Sequence, residues 1–125
     1  MRVVVVRHAE AAPGEPDELR PLTERGRAQA RALAERLPRA DVVLTSPLLR
    51  ARETATPIAR ASDVPAEVDA RLAPGATAAG LLEAVEGRGS VVVAVGHQPD
   101  CGVIAEALGA GSVAFPPAGH CVIEL

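Results

Sequence analysis

The fold is decided by the first ten residues, Met1-Arg2-Val3-Val4-Val5-Val6-Arg7-His8-Ala9-Glu10. Four consecutive valines predict a strand, because β-branched side chains fit a pleated sheet and lose rotamer freedom in a helix. A continuous apolar run is typical of a strand covered on both faces, as in a parallel sheet. Ligands of open α/β sheets bind beyond the carboxyl ends of the strands. Arg7 and His8 are therefore the first candidate site residues.

The composition describes a globular chain with an acidic balance. It has 125 residues, of which 48% are hydrophobic and 23% charged, and its net charge is −3. This length suits one buried core, so we expect a single domain over residues 1–125. The net charge gives no electrostatic footprint for nucleic acid, and Phe115 is the only aromatic residue that could stack on bases. We therefore expect no nucleic-acid partner.

Cys101 and Cys121 are the only cysteines, and their spacing matches no metal-ligand motif. Disulfides are rare in the cytosol, so we expect two reduced thiols. The first residues lack the length and cleavage site of a signal peptide, and no apolar run approaches the ~20 residues of a membrane span. These features favour a cytoplasmic protein that has no membrane partner.

Apolar periodicity predicts strands that alternate with helices. The predicted strands cover residues 1–6, 41–45, 66–69, 90–95 and 120–125, with a further short strand at 112–115. The predicted helices cover residues 23–37, 46–55, 77–86 and 99–108. This order predicts an α/β fold: a three-layer α/β/α sandwich with a mostly parallel central sheet and an antiparallel edge strand near the C-terminus.

Local signals refine the helices. Thr23 is the predicted N-cap of the first helix, and Ser46 and Pro47 are predicted as the N-cap and first residue of the second. Pro57 is predicted to kink or shorten that second helix. The last helix is predicted to bury Val103, Ile104, Ala107 and Leu108. Prolines and a glycine among acidic residues at 11–21 predict a loop over the site, with polar groups that can touch a ligand.

Candidate site residues follow three of the predicted strands. Arg7 and His8 follow the first, Arg50 lies in the first turn of the helix after the second, and His97 follows the strand at 90–95. In a parallel sheet all three places meet at one edge. Arginine forks match phosphate geometry, and helix N-termini add backbone donors. The set predicts a pocket for a tetrahedral oxyanion.

His8 is the candidate nucleophile of this pocket. Nearby cations disfavour the imidazolium form, so His8 is expected to stay neutral and to attack phosphorus in line. Arg7, Arg50 and His97 would then neutralise charge on the equatorial oxygens while a phosphohistidine forms and is hydrolysed. Two arginines and two histidines repel a cation, so we expect neither a metal nor another cofactor. His120 lies outside this pattern and is expected at the surface.

These motifs resemble those of the histidine phosphatase superfamily, which also contains the cofactor-dependent phosphoglycerate mutases. The resemblance rests on Val-Val-Val-Arg-His at 4–8, Arg-Pro-Leu-Thr at 20–23 with Gly26, Thr-Ser-Pro-Leu-Leu-Arg-Ala-Arg-Glu-Thr-Ala at 45–55, and Val-Gly-His at 95–97. The short length, Arg-His-Ala-Glu and Arg-Pro-Leu-Thr are most similar to small phosphohistidine phosphatases of the SixA type.

The resemblance implies a role for each site residue. His8 would be the nucleophile, and Arg7, Arg50 and His97 would form the phosphate pocket. Arg20 would be an accessory phosphate or substrate contact, and Glu10 is a second candidate for contact with the substrate.

Two positions depart from the pattern of the superfamily. Ala9 replaces the glycine of Arg-His-Gly, so the backbone there need not adopt a conformation open only to glycine. Pro74 stands where the mutase branch carries its catalytic glutamate, so the general acid of the mutases is missing. An alkoxide leaving group needs such an acid, usually worth ~10²–10⁴-fold, whereas the imidazole of a phosphohistidine departs readily. The possible substitutes near strand ends are Glu10, Asp69 and Asp100, each expected to be structural or solvent-facing.

The sequence therefore favours a phosphatase that acts on protein phosphohistidine. A small-molecule phosphomonoesterase and a phosphate-binding module without turnover remain as alternatives, and a mutase is a weaker third. His8 separates the enzymes from the binding module, because a binder has no need of a nucleophile. The expected partner is a phosphorylated protein or a small phosphorylated substrate.

Overall fold

The protein is built on a five-stranded sheet, which a computed structural model describes for residues 1–125. Its strands are β1 (Arg2–Arg7), β2 (Val42–Thr45), β3 (Ala66–Val68), β4 (Val91–Gly96) and β5 (His120–Glu124). Its helices are α1 (Glu24–Arg36), α2 (Leu49–Ala61), α3 (Ala78–Val85) and α4 (Asp100–Ala107). Short 3₁₀ turns lie at Asp17–Leu19 and Ala70–Leu72.

The sheet has the strand order β3-β2-β4-β1-β5. Strands β1 to β4 are parallel to one another. Strand β5 runs antiparallel along the outer edge of β1, with Val6 opposite His120. The predicted fold class, with its mostly parallel sheet and antiparallel edge strand, is confirmed. No helix has both the length and the apolar character that a bilayer span requires.

The valine run of β1 is buried on both faces of the sheet. Val3 and Val5 belong to a core cluster that includes side chains of α3 and α4, whereas Val4 and Val6 belong to a second cluster with α1 and α2. All four side chains are at most 3% exposed. Successive side chains of a strand point to opposite faces, so an apolar run without alternation is what a sheet between two helix layers requires.

The start of α2 differs from its prediction. The helix begins at Leu49 with Leu48 as its N-cap, and neither Ser46 nor Pro47 belongs to it. The Ser46 hydroxyl does accept the Leu48 N–H at 3.2 Å, but it lies outside the helix and also contacts His97. The side chain that reads as a helix cap is therefore part of the site.

Pro57 does not shorten α2, which continues to Ala61. A proline inside a helix removes one backbone donor and crowds the preceding turn. The two residues after Pro57, Ile58 and Ala59, are buried in the core with 2% and 3% of their surface exposed. Packing of this apolar face outweighs the local cost of the proline, as is usual for helices held by tertiary contacts.

Two predictions for the C-terminal third are wrong. In α4 the buried residues are Cys101, Ile104 and Ala105, whereas Val103 is 61% exposed and Ala107 is also exposed. The buried face of α4 begins at Cys101, which the predicted apolar pattern did not include, so this face is rotated relative to the prediction. Residues 112–115 form no strand, and β5 pairs with β1 instead of with them.

Candidate active site

The two predicted site histidines follow neighbouring strands at the same level of the sheet. Arg7 is paired with Gly96 in the register of β1 and β4, and the His8 N–H donates to the Gly96 carbonyl at 3.0 Å. The rings of His8 and His97 consequently meet, with centroids 5.3 Å apart and planes inclined by 58°. The ends of β1 and β4 thus lie side by side, as the sequence predicted.

Arg50 joins the histidines from the first turn of α2. It is only 7% exposed. The buried hydroxyl of Thr54, one turn later, accepts the Ala9 N–H at 3.0 Å and donates to the Arg50 carbonyl at 2.8 Å. This hydroxyl therefore fixes the residue after His8 against the turn that carries Arg50.

The tautomer of His8 follows from one hydrogen bond. Its Nδ1 lies 2.7 Å from the backbone carbonyl oxygen of Ala9. A carbonyl oxygen only accepts, so Nδ1 carries the proton and the lone pair of the neutral ring is on Nε2. Burial lowers the pKa of His8, and the charges of Arg50 and Arg7 lower it further. The sequence predicted a neutral His8 from the cations alone, but burial is the larger cause.

His97 is held by Ser46. Its Nε2 lies 2.7 Å from Ser46 Oγ, a hydroxyl that can donate its proton to the ring while it accepts the Leu48 N–H. Burial, followed by the nearby charges of His8 and Arg50, lowers the pKa of His97 to about 4. A neutral ring that accepts at Nε2 carries its proton on Nδ1.

Two buried polar atoms of the site have no hydrogen-bond partner: Arg7 Nε and His97 Nδ1. The other end of the Arg7 guanidinium is anchored, because Nη1 donates to the Phe115 carbonyl at 3.0 Å. An unsatisfied buried polar group costs about 1–3 kcal/mol. Arg7 Nε–H and His97 Nδ1–H, together with the buried guanidinium of Arg50, are well suited to bind an oxyanion. The oxygens of such an anion would accept hydrogen bonds from all three side chains.

Arg20 is connected to Arg50 through Asp17, a residue that the sequence did not single out. Arg50 donates to the Asp17 carbonyl at 2.9 Å and to its Oδ2 at 3.1 Å, while Arg20 Nη1 lies 3.0 Å from Oδ1. Hydrogen bonds from Arg20 and then Arg50 hold the pKa of Asp17 below its usual value. The available signal was its place in the acidic loop predicted over the site.

Each of the other candidate carboxylates has a partner outside the pocket. Glu10 accepts from the Thr23 hydroxyl at 3.0 Å and lies 3.7 Å from Arg25, so its carboxylate faces the start of α1. Asp69 pairs with Arg71 at 2.8 Å. Asp100 accepts the backbone N–H groups of the turn at Gly75 and Ala76, at 2.8 and 3.2 Å. The hydrogen bonds of these three carboxylates thus fix local structure.

The remaining titratable groups lie apart from this arrangement. His120 is exposed at the start of β5, as predicted. Both cysteines are free thiols, and burial raises the pKa of Cys101 to about 12. No group of three or more His, Cys, Asp or Glu side chains is arranged to hold a metal ion.

The chain is similar in sequence to known proteins. The family model of the histidine phosphatase superfamily (branch 1) matches residues 3–74. An uncharacterized protein of Picosynechococcus sp. is 37% identical across 96% of this chain and 77% of its own length.

Solved structures are similar over nearly the whole chain. The protein histidine phosphatase SixA in complex with tungstate superimposes with a TM-score of 0.86 and 27% identity, covering 100% of this chain and 88% of its own. A SixA-type protein of Agrobacterium tumefaciens gives a TM-score of 0.82 and 31% identity, covering 97% and 88%. A mycobacterial glucosyl-3-phosphoglycerate phosphatase shares the fold, with a TM-score of 0.73, 21% identity and coverage of 98% and 90%.

Proposed function

The chain belongs to the histidine phosphatase superfamily and is thus a phosphatase with a histidine nucleophile, and we propose that it hydrolyses phosphohistidine on a protein with His8 as that nucleophile. The observation that carries the proposal is the hydrogen bond from His8 Nδ1 to the Ala9 carbonyl. This bond leaves the lone pair of the neutral ring on Nε2, and the ring lies 5.3 Å from that of His97 and within the influence of the Arg50 and Arg7 charges. A neutral imidazole is the form that can attack phosphorus.

The first step transfers the phosphoryl group to the enzyme. His8 Nε2 forms a bond to phosphorus while the P–N bond to the substrate imidazole breaks, and the leaving nitrogen takes a proton from solvent. Arg7, Arg50 and the Nδ1–H of His97 bind the equatorial oxygens, and Arg20 is an accessory contact to the phosphoryl group. Their positive charge and fixed donors stabilise the charge of the transition state.

The second step returns His8 to its starting state. Water attacks phosphorus, the bond to Nε2 breaks and inorganic phosphate leaves. The Nδ1–H of His8 stays hydrogen-bonded to the Ala9 carbonyl throughout, so the ring keeps its orientation between the two steps. All charge compensation comes from the chain itself, and we propose that the reaction requires no metal.

The carboxylates near the pocket support a P–N substrate over a P–O substrate. An ester needs a proton donor for its alkoxide, and such a donor is usually worth ~10²–10⁴-fold. Glu10, Asp69 and Asp100 are all committed to structural partners, and Pro74 replaces the glutamate expected from the mutases. An imidazole leaving group makes the smallest demand on such a pocket.

The test compares wild type with His8→Ala on a phosphorylated histidine-containing carrier domain and on p-nitrophenyl phosphate. We expect wild type to dephosphorylate the carrier in the presence of EDTA and His8→Ala to lose about 10³-fold or more of the activity. His120→Ala is the matched control, because His120 is an exposed histidine outside the pocket. Wild type should also form an acid-labile phosphoenzyme that His8→Ala lacks.

Other outcomes assign other functions. Equal activity of wild type and His8→Ala would remove His8 as the nucleophile. Cleavage of p-nitrophenyl phosphate without cleavage of the carrier would favour a small-molecule phosphomonoesterase. Binding of phosphate or vanadate without any cleavage would favour a binding module.

A further inference from the structure

A short loop segment, residues 13–19, lies over the site and has almost no other attachment. Every residue of this segment is exposed. The base of the loop is closed by the hydrogen bond from the Ala12 N–H to the Pro21 carbonyl at 2.8 Å. Beyond residues 12–21, the only hydrogen bonds of the segment are those between Asp17 and Arg50.

Asp17 contacts the two arginines as a bound oxyanion would. One carboxylate oxygen lies 3.1 Å from Arg50 Nη2 and the other lies 3.0 Å from Arg20 Nη1. Phosphate oxygens accept charge-assisted hydrogen bonds from guanidinium groups in the same way as carboxylate oxygens do. The Asp17 side chain is 61% exposed and that of Arg50 only 9%, so the carboxylate is at the outer face of a buried cation.

The chemistry of Asp17 makes it a competitor and not a proton donor. Hydrogen bonds from Arg20 and Arg50 lower the pKa of its carboxyl, which is therefore ionised at neutral pH and has no proton to give. An ionised carboxylate is an acceptor only, as are the oxygens of phosphate. The two anions need the same donors of Arg50 and Arg20.

We infer that Asp17 is an internal competitor for the phosphoryl group: its carboxylate occupies Arg50 and Arg20 in the free protein and is displaced when a phosphoryl group binds. This inference rests on the proposed function, in which these arginines bind that group. Displacement removes the contact of the carboxylate with Arg50 and leaves only the hydrogen bond from Arg50 to the Asp17 carbonyl, so residues 13–19 are held more loosely when a phosphoryl group binds. Only molecules in which Asp17 has left the arginines can bind inorganic phosphate, the product. The apparent affinity for phosphate is therefore the intrinsic affinity multiplied by the fraction of such molecules.

The test is the binding of inorganic phosphate to wild type, Asp17→Asn and Glu18→Gln, measured by titration calorimetry. Both substitutions remove one negative charge from the same 3₁₀ turn, but Glu18 is exposed and makes no hydrogen bond or ion pair. We expect Asp17→Asn to bind phosphate roughly twofold to fivefold more tightly than wild type, within the range for an exposed ion pair, and Glu18→Gln to match wild type. Hydrogen exchange gives a second readout: phosphate should speed exchange in residues 14–19 of wild type.

Three results would overturn the inference: equal affinity of Asp17→Asn and wild type, an equal gain in both variants, or weaker binding by Asp17→Asn. Slower exchange of residues 14–19 with phosphate would also overturn it. These readouts are independent of turnover. Tighter binding by Asp17→Asn in a protein that cleaves no phosphohistidine would keep the inference and overturn the proposed function. Equal affinities together with His8-dependent turnover would do the reverse.

Discussion

The hydroxyl of Thr54 lies 3.0 Å from the backbone nitrogen of Ala9, and through this one buried contact the end of β1 is fixed to α2. The same oxygen donates to the Arg50 carbonyl at 2.8 Å. His8 and Arg50, which are 42 residues apart in the chain, therefore have their backbones joined by a single side chain. The relative position of the proposed nucleophile and Arg50 thus depends on a side chain that is fully buried.

Thr54→Val removes this connection while keeping the shape of the side chain. The buried Ala9 N–H loses its acceptor, so we expect a loss of about 1–3 kcal/mol in the free energy of unfolding and a lower kcat/KM. Thermal unfolding followed by circular dichroism measures the first effect. Thr56→Val is the control, because Thr56 makes the same bond to the preceding turn, with Arg52 at 2.9 Å, at a more exposed position. Equal losses in the two variants would contradict this role of Thr54.

Arg50→Lys tests the guanidinium fork. Lysine keeps the charge but replaces the planar fork with a compact ammonium group, so it cannot reproduce the two parallel N–H···O bonds of a guanidinium to a phosphoryl group. We expect kcat/KM on phosphohistidine to fall by about 10²-fold, as for the loss of one transition-state donor. Arg52→Lys, two residues along α2 with no side-chain partner, should retain wild-type kinetics. Wild-type kinetics in Arg50→Lys would show that charge alone suffices.

Ser46→Ala tests how His97 is oriented. Without the hydroxyl, Nε2 has no donor beside it, so Nδ1–H is no longer the favoured tautomer. We expect the ¹⁵N NMR shifts of His97 to change and phosphate affinity to fall roughly tenfold. Ser62→Ala is the control: Ser62 is also buried and accepts a backbone N–H, that of Ala40, but lies outside the pocket. It should lose stability only, and the same loss of affinity there would contradict the role of Ser46.

Gly26→Ala tests the close contact between α1 and the residues after His8. A Cβ at Gly26 would overlap the backbone carbonyl oxygen of Glu10, which also accepts the Thr23 N–H at 3.0 Å. We expect a loss of about 1–3 kcal/mol in stability, since backbone must shift to make room. Gly102→Ala places its Cβ 3.4 Å from the flexible Gln98 side chain, so it should be neutral or stabilising by up to about 1 kcal/mol. Chemical denaturation of both variants measures the difference.

The low pKa of His97 predicts how stability depends on pH. The pKa of His97 is about 4 in the folded protein and 6.5 in the unfolded chain. Above pH 6.5 neither state takes up a proton at His97, so its full contribution to the free energy of unfolding is present. Below pH 6.5 the unfolded chain binds a proton that the folded protein does not. The free energy of unfolding should therefore fall toward pH 4 by up to about 1.4 kcal/mol per pH unit. Urea unfolding should show a shallower fall for His97→Asn, and parallel curves would contradict the assignment.

Sequence patterns predicted where the strands end, but they did not predict which side-chain contacts form at those ends. Arg7, His8, Arg50 and His97 could be placed together because strand periodicity and parallel connections determine which edge of the sheet they reach. Ser46 was predicted as a helix cap because its local signal is the same whether its hydroxyl bonds to the backbone or to a distant histidine. Asp17 and Thr54 were not predicted, because their partners are defined by packing between elements far apart in the chain.

The edge strand illustrates the same limit. Residues 112–115 and 120–125 read as two successive strands, which local patterns would pair with each other. The structure pairs β5 with β1, more than a hundred residues earlier, because the free edge of β1 offers a longer ladder. No local signal distinguishes these two pairings.

The position of β1 between β4 and β5 has a consequence for synthesis of the chain. Val3 to Val6 emerge from the ribosome before their strand partners, which are residues 91–96 and 120–124. Until those residues are made, a run of four valines with two open edges remains exposed, and such a run is prone to pair with other chains. The strand that carries the proposed nucleophile is thus the vulnerable segment of the nascent protein, and its protection depends on the last third of the chain.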